Sequence, residues 1–327
     1  MSFKSLKNVL LHPNVTLSYI KNHPRALSRA IKLTVYSRFP IGTNIFERDW
    51  DVMIVLDACR VDSMEAVVNE YAFLPSTVSK ITSRASSTIE WVSQTFTTEY
   101  EDEISKTVYV SANPWPERIL SGEESTEGYY SAGFAPTKWD TVTPDTFQEF
   151  YTILPEGDQR HRHVGEKKLS AEEITNYAIE TARTTEWSRL LIHYLQPHSP
   201  YRAKADSEGR NELREWENEP WEFLTAGGER SLVKEAYMDE LRAGLDGVEQ
   251  LLKNMNADKV VITADHGEAF GRRYNGHPPA SIHPSVRRVP WIETSASDER
   301  TIEPEVELPQ SQTGSAVRNQ LQALGYI

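Results

Sequence analysis

The chain has 327 residues, of which 39% are hydrophobic and 25% are charged, proportions that are typical of a globular protein and exclude a disordered one. A single cysteine excludes a disulfide framework and a cysteine-rich zinc module. The net charge of −13 argues against nucleic acid as a partner, because an acidic surface repels phosphate backbones. The sequence lacks both an apolar run of the ~18 residues that a membrane span needs and the apolar core of a secretory signal. We therefore expect a cytoplasmic protein.

Charge is unevenly distributed along the chain. Residues 1–48 carry eight basic side chains and one acidic side chain, a net charge of +7, so the remaining residues carry −20. Over the whole chain, acidic residues outnumber lysines by 48 to 13, a balance typical of salt-adapted proteins. Residues 1–48 resemble two short helical segments broken near Pro13 and Pro24, with apolar residues spread through them. We expect a basic helical arm, which either makes peripheral contact with the inner face of a membrane or packs on the acidic body.

Beyond residue 48, apolar runs alternate with helical periodicity. Three continuous apolar runs predict strands buried on both faces, over residues 51–57, 189–196 and 259–264. Helical periodicity predicts helices, over residues 62–70, 88–96, 170–184, 232–254 and 315–324. This alternation predicts an α/β fold with a mostly parallel central sheet and helices on both faces. We expect it to occupy residues 49–327, with residues 100–165 as an irregular insertion.

Residues that can bind a metal follow each of the three predicted strands. Asp57 follows the first, His198 the second, and Asp265 and His266 the third. Because the carboxyl ends of parallel strands meet at one edge of a sheet, we expect these side chains to share a site. Two carboxylates at one site repel each other, and a divalent cation relieves that repulsion. The alternatives are helix capping by the two aspartates and a structural role for His266.

Several short motifs carry a family resemblance. They are Asp57-Ala-Cys-Arg60, a Ser/Thr-rich turn, His198-Ser-Pro-Tyr201, Asp265-His-Gly-Glu268, and Gly276-His277-Pro278 ahead of Val289-Pro290-Trp291. In this order they resemble the alkaline phosphatase superfamily, and within it the sulfatase-like hydrolase and transferase branch. The resemblance extends over residues 50–295, and residues 321–327 also look like that branch.

The resemblance implies an enzyme that cleaves or transfers phosphate or sulfate esters through a covalent intermediate. It implies that Asp57, Asp265 and His266 bind the metal. His198 and His277 would bind a second metal or the ester oxygens. Arg60 would bind the substrate, as would His283, the alternative to His277. One or two divalent ions would bind, and zinc, manganese, calcium and magnesium all suit such Asp/His sets. Specificity would lie in residues 100–165, on the substrate side of the site.

The nucleophile of the family usually opens a helix, often two residues before a proline. Ser86-Ser87-Thr88-Ile89 occupies that place, with Ile89 where the proline would stand. This alignment favours Ser87 as the nucleophile and leaves Thr88 second, with a simple N-cap as the alternative role. A helix N-terminus suits an anionic intermediate, because its free N–H groups point at the phosphoryl oxygens.

Cys59 is a poor candidate for the formylglycine that sulfatases use. It is followed by Arg60-Val61-Asp62-Ser63, whereas that modification is associated with Cys-x-Pro-x-Arg. We therefore predict a metal-dependent hydrolase or transferase of phosphate esters, with sulfate esters as the second choice, acting on a small molecule, a glycan or a lipid headgroup. The alternative is a non-catalytic protein of this fold that binds an anionic glycan or lipid headgroup.

Overall fold

The computed structural model describes residues 24–130, 135–155 and 168–313. Its nine strands are β1 (Val52–Leu56), β2 (Ser79–Thr82), β3 (Thr107–Ser111), β4 (Glu149–Thr152), β5 (Arg189–Tyr194), β6 (Ala257–Thr263), β7 (Ala269–Phe270), β8 (Asn275–Gly276) and β9 (Arg288–Ala296). Seven of them form one sheet in the order β2-β9-β6-β1-β5-β3-β4, and β7 pairs with β8 in a small separate ribbon. The five strands from β6 to β4 run parallel. At the other edge, β9 lies antiparallel to both β6 and β2.

Twelve α-helices lie among the described residues. They are α1 (Pro24–Tyr36), α2 (Val61–Val67), α3 (Thr88–Thr95), α4 (Glu101–Ile104), α5 (Trp115–Leu120), α6 (Thr126–Tyr129), α7 (Ala171–Thr184), α8 (Ala203–Ser207), α9 (Glu215–Asn218), α10 (Pro220–Thr225), α11 (Arg230–Leu252) and α12 (Pro284–Arg287). Helix α7 begins with a capping box that Ser170 and Glu173 form. Each helix in this part of the chain is too short or too polar to cross a lipid bilayer.

The central strand β1 shows why helices cover both faces of the sheet. Its five residues are all apolar and fully buried, and successive side chains of a strand point to opposite faces. Val52 and Ile54 belong to the hydrophobic cluster that includes residues of α2, α7 and α11. Met53 and Val55 belong to the cluster that includes residues of α1, α3 and α5. The predicted α/β class, with a mostly parallel sheet between two helical layers, is therefore confirmed.

Some predicted elements differ from the structure. Residues 107–111 and 149–152 lie inside the segment that we expected to be irregular, yet they form β3 and β4 at the parallel edge of the sheet. Their neighbours are rich in turn-forming residues, which hid two short strands. The predicted tail helix at 315–324 and residues 1–23 of the predicted arm lie outside the described residues. The remainder of the arm contains α1, which packs on the body.

Candidate active site

The candidate site begins where β1 and β6 end side by side. The two strands pair in parallel with Val55 opposite Thr263. Asp57 lies two residues after Val55 and Asp265 two residues after Thr263, so the two aspartates leave the sheet at the same level. Ligand atoms of Asp57, Asp265 and His266 lie within 4.8 Å of one another, and all three residues are buried. The structure thus brings together the three residues to which the resemblance gives a metal.

Gly267, directly after Asp265 and His266, lets the backbone pack closely against a neighbouring segment. A Cβ atom at this position would collide with the backbone oxygen of Ser285, and the Gly267 N–H donates to the carbonyl of Val286 at 2.7 Å. The absent side chain therefore lets the segment that carries Asp265 and His266 lie against α12. This close packing is the physical reason for glycine in the Asp-His-Gly-Glu motif.

The first residue of α3, Thr88, faces this cluster. Its hydroxyl donates to Asp265 Oδ2 at 2.7 Å and also lies 3.4 Å from Asp57 Oδ2 and 3.4 Å from His266 Nε2. The neighbouring Ser87 is the N-cap of the helix, and its hydroxyl contacts the hydroxyl of Tyr130. Of the two candidate nucleophiles, Thr88 is therefore the one that touches the cluster, whereas we expected Ser87 to do so.

Electrostatics at the cluster favour a bound cation. Burial, together with the charge of Asp265, raises the pKa of Asp57 well above its ordinary value. Asp57 Oδ2 accepts a hydrogen bond from the Asn113 amide at 2.7 Å, but Asp57 Oδ1 is buried and has no hydrogen-bond partner among the described residues. Two adjacent buried carboxylates with an unpartnered oxygen form a donor set that fits a divalent cation.

His266 is held in the form that can bind a metal. Its Nδ1 lies 2.8 Å from the carbonyl of Gly267 and donates its proton there, so the lone pair is on Nε2, the nitrogen that faces both aspartates. Burial, assisted by the nearby His277, lowers the pKa of His266 well below its ordinary value. The ring is therefore neutral, as a metal ligand must be.

Two further histidines lie beside the cluster. The ring of His277 is centred 4.5 Å from that of His266 and 5.1 Å from that of His198. Burial lowers the pKa of His277, but the carboxylate of Glu268, 3.1 Å from its Nδ1, outweighs this effect and raises it to about 9. Burial and the charge of His277 lower the pKa of His198 well below its ordinary value. His277 is thus a cationic group and His198 a neutral one.

Two of the three predicted substrate-binding residues, Arg60 and His283, have partners outside the metal-ligand cluster. The Arg60 guanidinium binds Asp62 at 2.6 Å, contacts the backbone oxygen of Glu268, and lies over the ring of Phe270. His283 is exposed, and its Nδ1 accepts from the backbone N–H of Ser285 as the N-cap of α12. Both side chains therefore have local structural partners, and neither lines the cavity described next.

A cavity of about 660 Å³ opens above the cluster. Asp57, Thr88, His198 and His277 line one part of it. The remaining described lining residues include four aromatic side chains, Trp115, Tyr129, Tyr130 and Trp221, and one carboxylate, Glu219. No lysine or arginine is among the described lining residues. Three of these aromatic side chains come from the segment in which we expected substrate specificity to lie.

One residue of this site and two contacts within it were not predicted from the sequence. Asn113, which holds Asp57, follows β3 just as the aspartates follow β1 and β6, so recognition of β3 as a strand would have suggested it. Glu268 was visible in its motif, but its partner His277 is nine residues away. The contact between Tyr130 and Ser87 joins residues that are 43 positions apart, and no sequence pattern predicts it.

No protein-family model and no curated protein matches the chain. Three solved structures illustrate what the fold is similar to. One is the zinc complex of the C-terminal periplasmic domain of EcEptC from Escherichia coli, with 13% identity over 79% of this chain and 76% of that one and a TM-score of 0.44. Another is the integral membrane protein lipooligosaccharide phosphoethanolamine transferase A from Neisseria meningitidis, with 12% identity over 90% of this chain and 60% of that one and a TM-score of 0.47. The third is the phosphonate monoester hydrolase of Agrobacterium radiobacter, with 12% identity over 75% of this chain and 68% of that one and a TM-score of 0.40. The similarity is one of fold.

Proposed function

We propose that the chain is a metal-dependent enzyme that hydrolyses or transfers a phosphate ester, with Thr88 as the covalent nucleophile. The contact of the Thr88 hydroxyl with the buried Asp57, Asp265 and His266 carries this proposal. Asp57, Asp265 and His266 would hold the metal. A bound divalent cation would supply Lewis-acid chemistry, which lowers the pKa of a nucleophile and neutralises charge on the phosphoryl group.

The residues of the chain have separate tasks in this reaction. Asp265 Oδ2 orients the Thr88 hydroxyl by accepting its proton in a hydrogen bond, and the free N–H groups at the start of α3 suit the phosphoryl oxygens. Thr88 Oγ1 gives its proton to Asp265 Oδ2 and forms a bond to phosphorus, while the bond from phosphorus to the leaving-group oxygen breaks. The leaving-group oxygen takes up this same proton. A water or an acceptor alcohol then attacks the phosphothreonine and restores the Thr88 hydroxyl.

The cavity walls indicate what the ester carries besides phosphate. Aromatic rings stack on sugar rings and on cationic groups, and the carboxylate of Glu219, with no lysine or arginine among the described lining residues, disfavours a second anion beside it. This lining supports a glycan or a lipid headgroup whose second substituent is neutral or cationic. The cationic His277, with His198 beside it, would bind the ester oxygens, and a second metal ion could bind these two residues only if His277 lost its proton.

Cys59 supports a hydroxyl nucleophile rather than formylglycine. It is fully buried, burial raises the pKa of its thiol, and it is absent from the cavity lining. Phosphate esters are therefore the preferred substrates and sulfate esters the second choice. No observation on the described residues favours the alternative of a non-catalytic binding protein.

The matched variants Thr88→Ala and Ser87→Ala test the proposal. With zinc, manganese, magnesium or calcium added in turn, the wild type is expected to cleave bis(p-nitrophenyl) phosphate or p-nitrophenyl phosphate faster than p-nitrophenyl sulfate. Thr88→Ala should lose on the order of 10³-fold or more in kcat, because it removes the attacking oxygen. Ser87→Ala should stay within about tenfold and lose about 1 kcal/mol of stability as an altered N-cap.

Tandem mass spectrometry of the quenched wild type should find the phosphoryl group on Thr88. If Ser87→Ala is inactive and Thr88→Ala is active, the nucleophile is Ser87 and not Thr88. A wild-type protein that binds a stoichiometric divalent ion and turns over none of the three esters would favour the binding protein.

A further inference from the structure

Exposed apolar side chains are concentrated in one segment of the described chain. Seven large hydrophobic residues are exposed in this part of the protein, and five of them lie between residues 27 and 41: Leu27, Ile31, Val35, Phe39 and Ile41. Phe39 is 70% exposed and Ile31 is 55% exposed. Scattered single apolar residues are normal on a protein surface, but a contiguous group marks an interaction site.

The helix α1 carries three of these residues on the side that faces away from the body. At 100° per residue, Leu27, Ile31 and Val35 recur every four positions and form one stripe. Leu33, on the side of the helix opposite Ile31, and Ala30, about 100° from Ile31, are buried in the hydrophobic cluster under the sheet. The stripe is therefore not needed to attach the helix to the protein.

Polar contacts also fix this helix and the turn after it. Arg29 donates to the carbonyl of Tyr130 at 3.4 Å, and Arg38 donates to the carbonyl of Pro136 at 2.6 Å. The backbone N–H of Lys138 donates to the Ser37 hydroxyl at 2.9 Å. These hydrogen bonds and the buried side of α1 hold the helix on the body, so the stripe lies on a fixed helix.

The charge around the stripe identifies its partner. Lys32 is exposed one position, or about 100°, from Ile31 on the helix, and Arg38 is exposed beside Phe39. Residues 1–23 add Lys4, Lys7 and Lys21 and no acid. An apolar stripe flanked by cations suits the boundary between lipid headgroups and acyl chains, where lysine and arginine bind lipid phosphates.

A second copy of the chain fits this surface less well. Five partly exposed side chains, three on α1 and two in the segment after it, offer less than the ~800 Å² that each partner buries in a stable interface of standard size. We propose that α1 and residues 37–41 dock on an anionic lipid bilayer, with Leu27, Ile31, Val35 and Phe39 inserted at the acyl boundary and Lys32 and Arg38 on the lipid phosphates. This docking does not depend on the proposed catalytic activity.

Vesicle co-sedimentation tests the docking without any turnover assay. The full chain is mixed with vesicles of phosphatidylcholine alone or of equal parts phosphatidylcholine and phosphatidylglycerol. The wild type should bind the mixed vesicles at low salt and bind less at high salt, because screening weakens the basic contacts. The double variant Ile31→Asp/Val35→Asp should lose at least about tenfold in binding, since it places charge at the acyl boundary.

Ile282→Asp is the matched control, because Ile282 is 72% exposed and lies outside the stripe. It should bind vesicles like the wild type. If the double variant melts early, the single variants Ile31→Asp and Val35→Asp repeat the test. Unchanged vesicle binding by the stripe variants overturns the proposal. So does a wild-type dimer that ignores vesicles and becomes a monomer in the double variant, since that result identifies a second copy as the occupant.

Discussion

Asp265 has a separate partner on each of its carboxylate oxygens. Oδ1 accepts from the backbone N–H groups of Ala58 and His266, at 3.1 and 2.8 Å, while Oδ2 accepts from the Thr88 hydroxyl. The first pair of bonds is structural, and the second positions the proposed nucleophile. One residue therefore joins the turn after β1, the turn after β6 and the start of α3.

Replacing Asp265 with Asn separates metal binding from folding. The amide oxygen of Asn still accepts the two backbone bonds, but the variant lacks one of the two negative charges that attract the cation. Metal content after dialysis, measured by mass spectrometry of the elements, should fall below the wild-type value. In EDTA the variant should melt no lower than the wild type, because it also lacks the charge that raises the pKa of Asp57.

Asp51→Asn is the matched control for this prediction. Asp51 lies at the opposite end of β1 and accepts from the Lys259 N–H at 2.9 Å, far from the cluster. It should retain the wild-type metal content. If Asp265→Asn holds as much metal as the wild type, the assignment of Asp57, Asp265 and His266 as a shared metal site is wrong.

At the scale of elements, strand ends were predictable and helix orientation was not. Continuous apolar runs identified β1, β5 and β6, and these three adjacent strands bring Asp57, Asp265 and His198 to one edge of the sheet. The choice between Ser87 and Thr88 depends on the direction in which α3 leaves that edge, and one residue changes the direction of a side chain by 100°. That direction is set by packing against residues far along the chain, which one sequence does not reveal.

The loop that carries His198 is held by a buried ion pair between two elements. Lys168, ahead of α7, lies 2.7 Å from Glu240 on α11, and these side chains are only 1% and 3% exposed. Lys168 also donates to the carbonyl of His198. Glu240 accepts from the backbone N–H groups of Arg202 and Ala203, at 2.7 and 2.9 Å. The pair therefore ties both ends of the loop to the helical layer.

Breaking this pair from one side should be costly. Lys168→Met leaves the Glu240 carboxylate buried without its cation, and we expect a loss of about 3–5 kcal/mol in the free energy of unfolding by urea. The double variant Lys168→Met/Glu240→Gln should lose less than the sum of the two single variants, because it buries no unpaired charge. Arg242→Met, at the exposed pair with Glu70, is the control and should cost about 1 kcal/mol or less. Additive losses at Lys168 and Glu240 would show that the pair is not coupled.

At the scale of the whole molecule, charge is segregated between the two parts of the sequence. Residues 49–327 carry a net charge of −20, while residues 1–48 carry +7. The described surface has many ion pairs, for example Arg183 with Asp298 at 2.8 Å and Arg242 with Glu70 at 2.7 Å, but pairs remove no net charge. The excess acidic groups repel one another, and this repulsion opposes the compact state.

Salt should therefore stabilise the protein, although it also weakens each surface ion pair. The Debye length shortens from ~10 Å at 0.1 M to ~3 Å at 1 M, so screening removes repulsion between distant acids. Exposed pairs contribute only about 0–1 kcal/mol each and lose little. We expect the melting temperature to rise by about 2–4 °C or more between low and molar sodium chloride, equivalent to at least about 1 kcal/mol.

Glycerol at equal osmolality is the uncharged control and should not reproduce the early part of the rise, below about 0.3 M, where screening changes fastest. A melting temperature that stays flat or falls in sodium chloride would mean that local ion pairs outweigh the net repulsion of the acidic body.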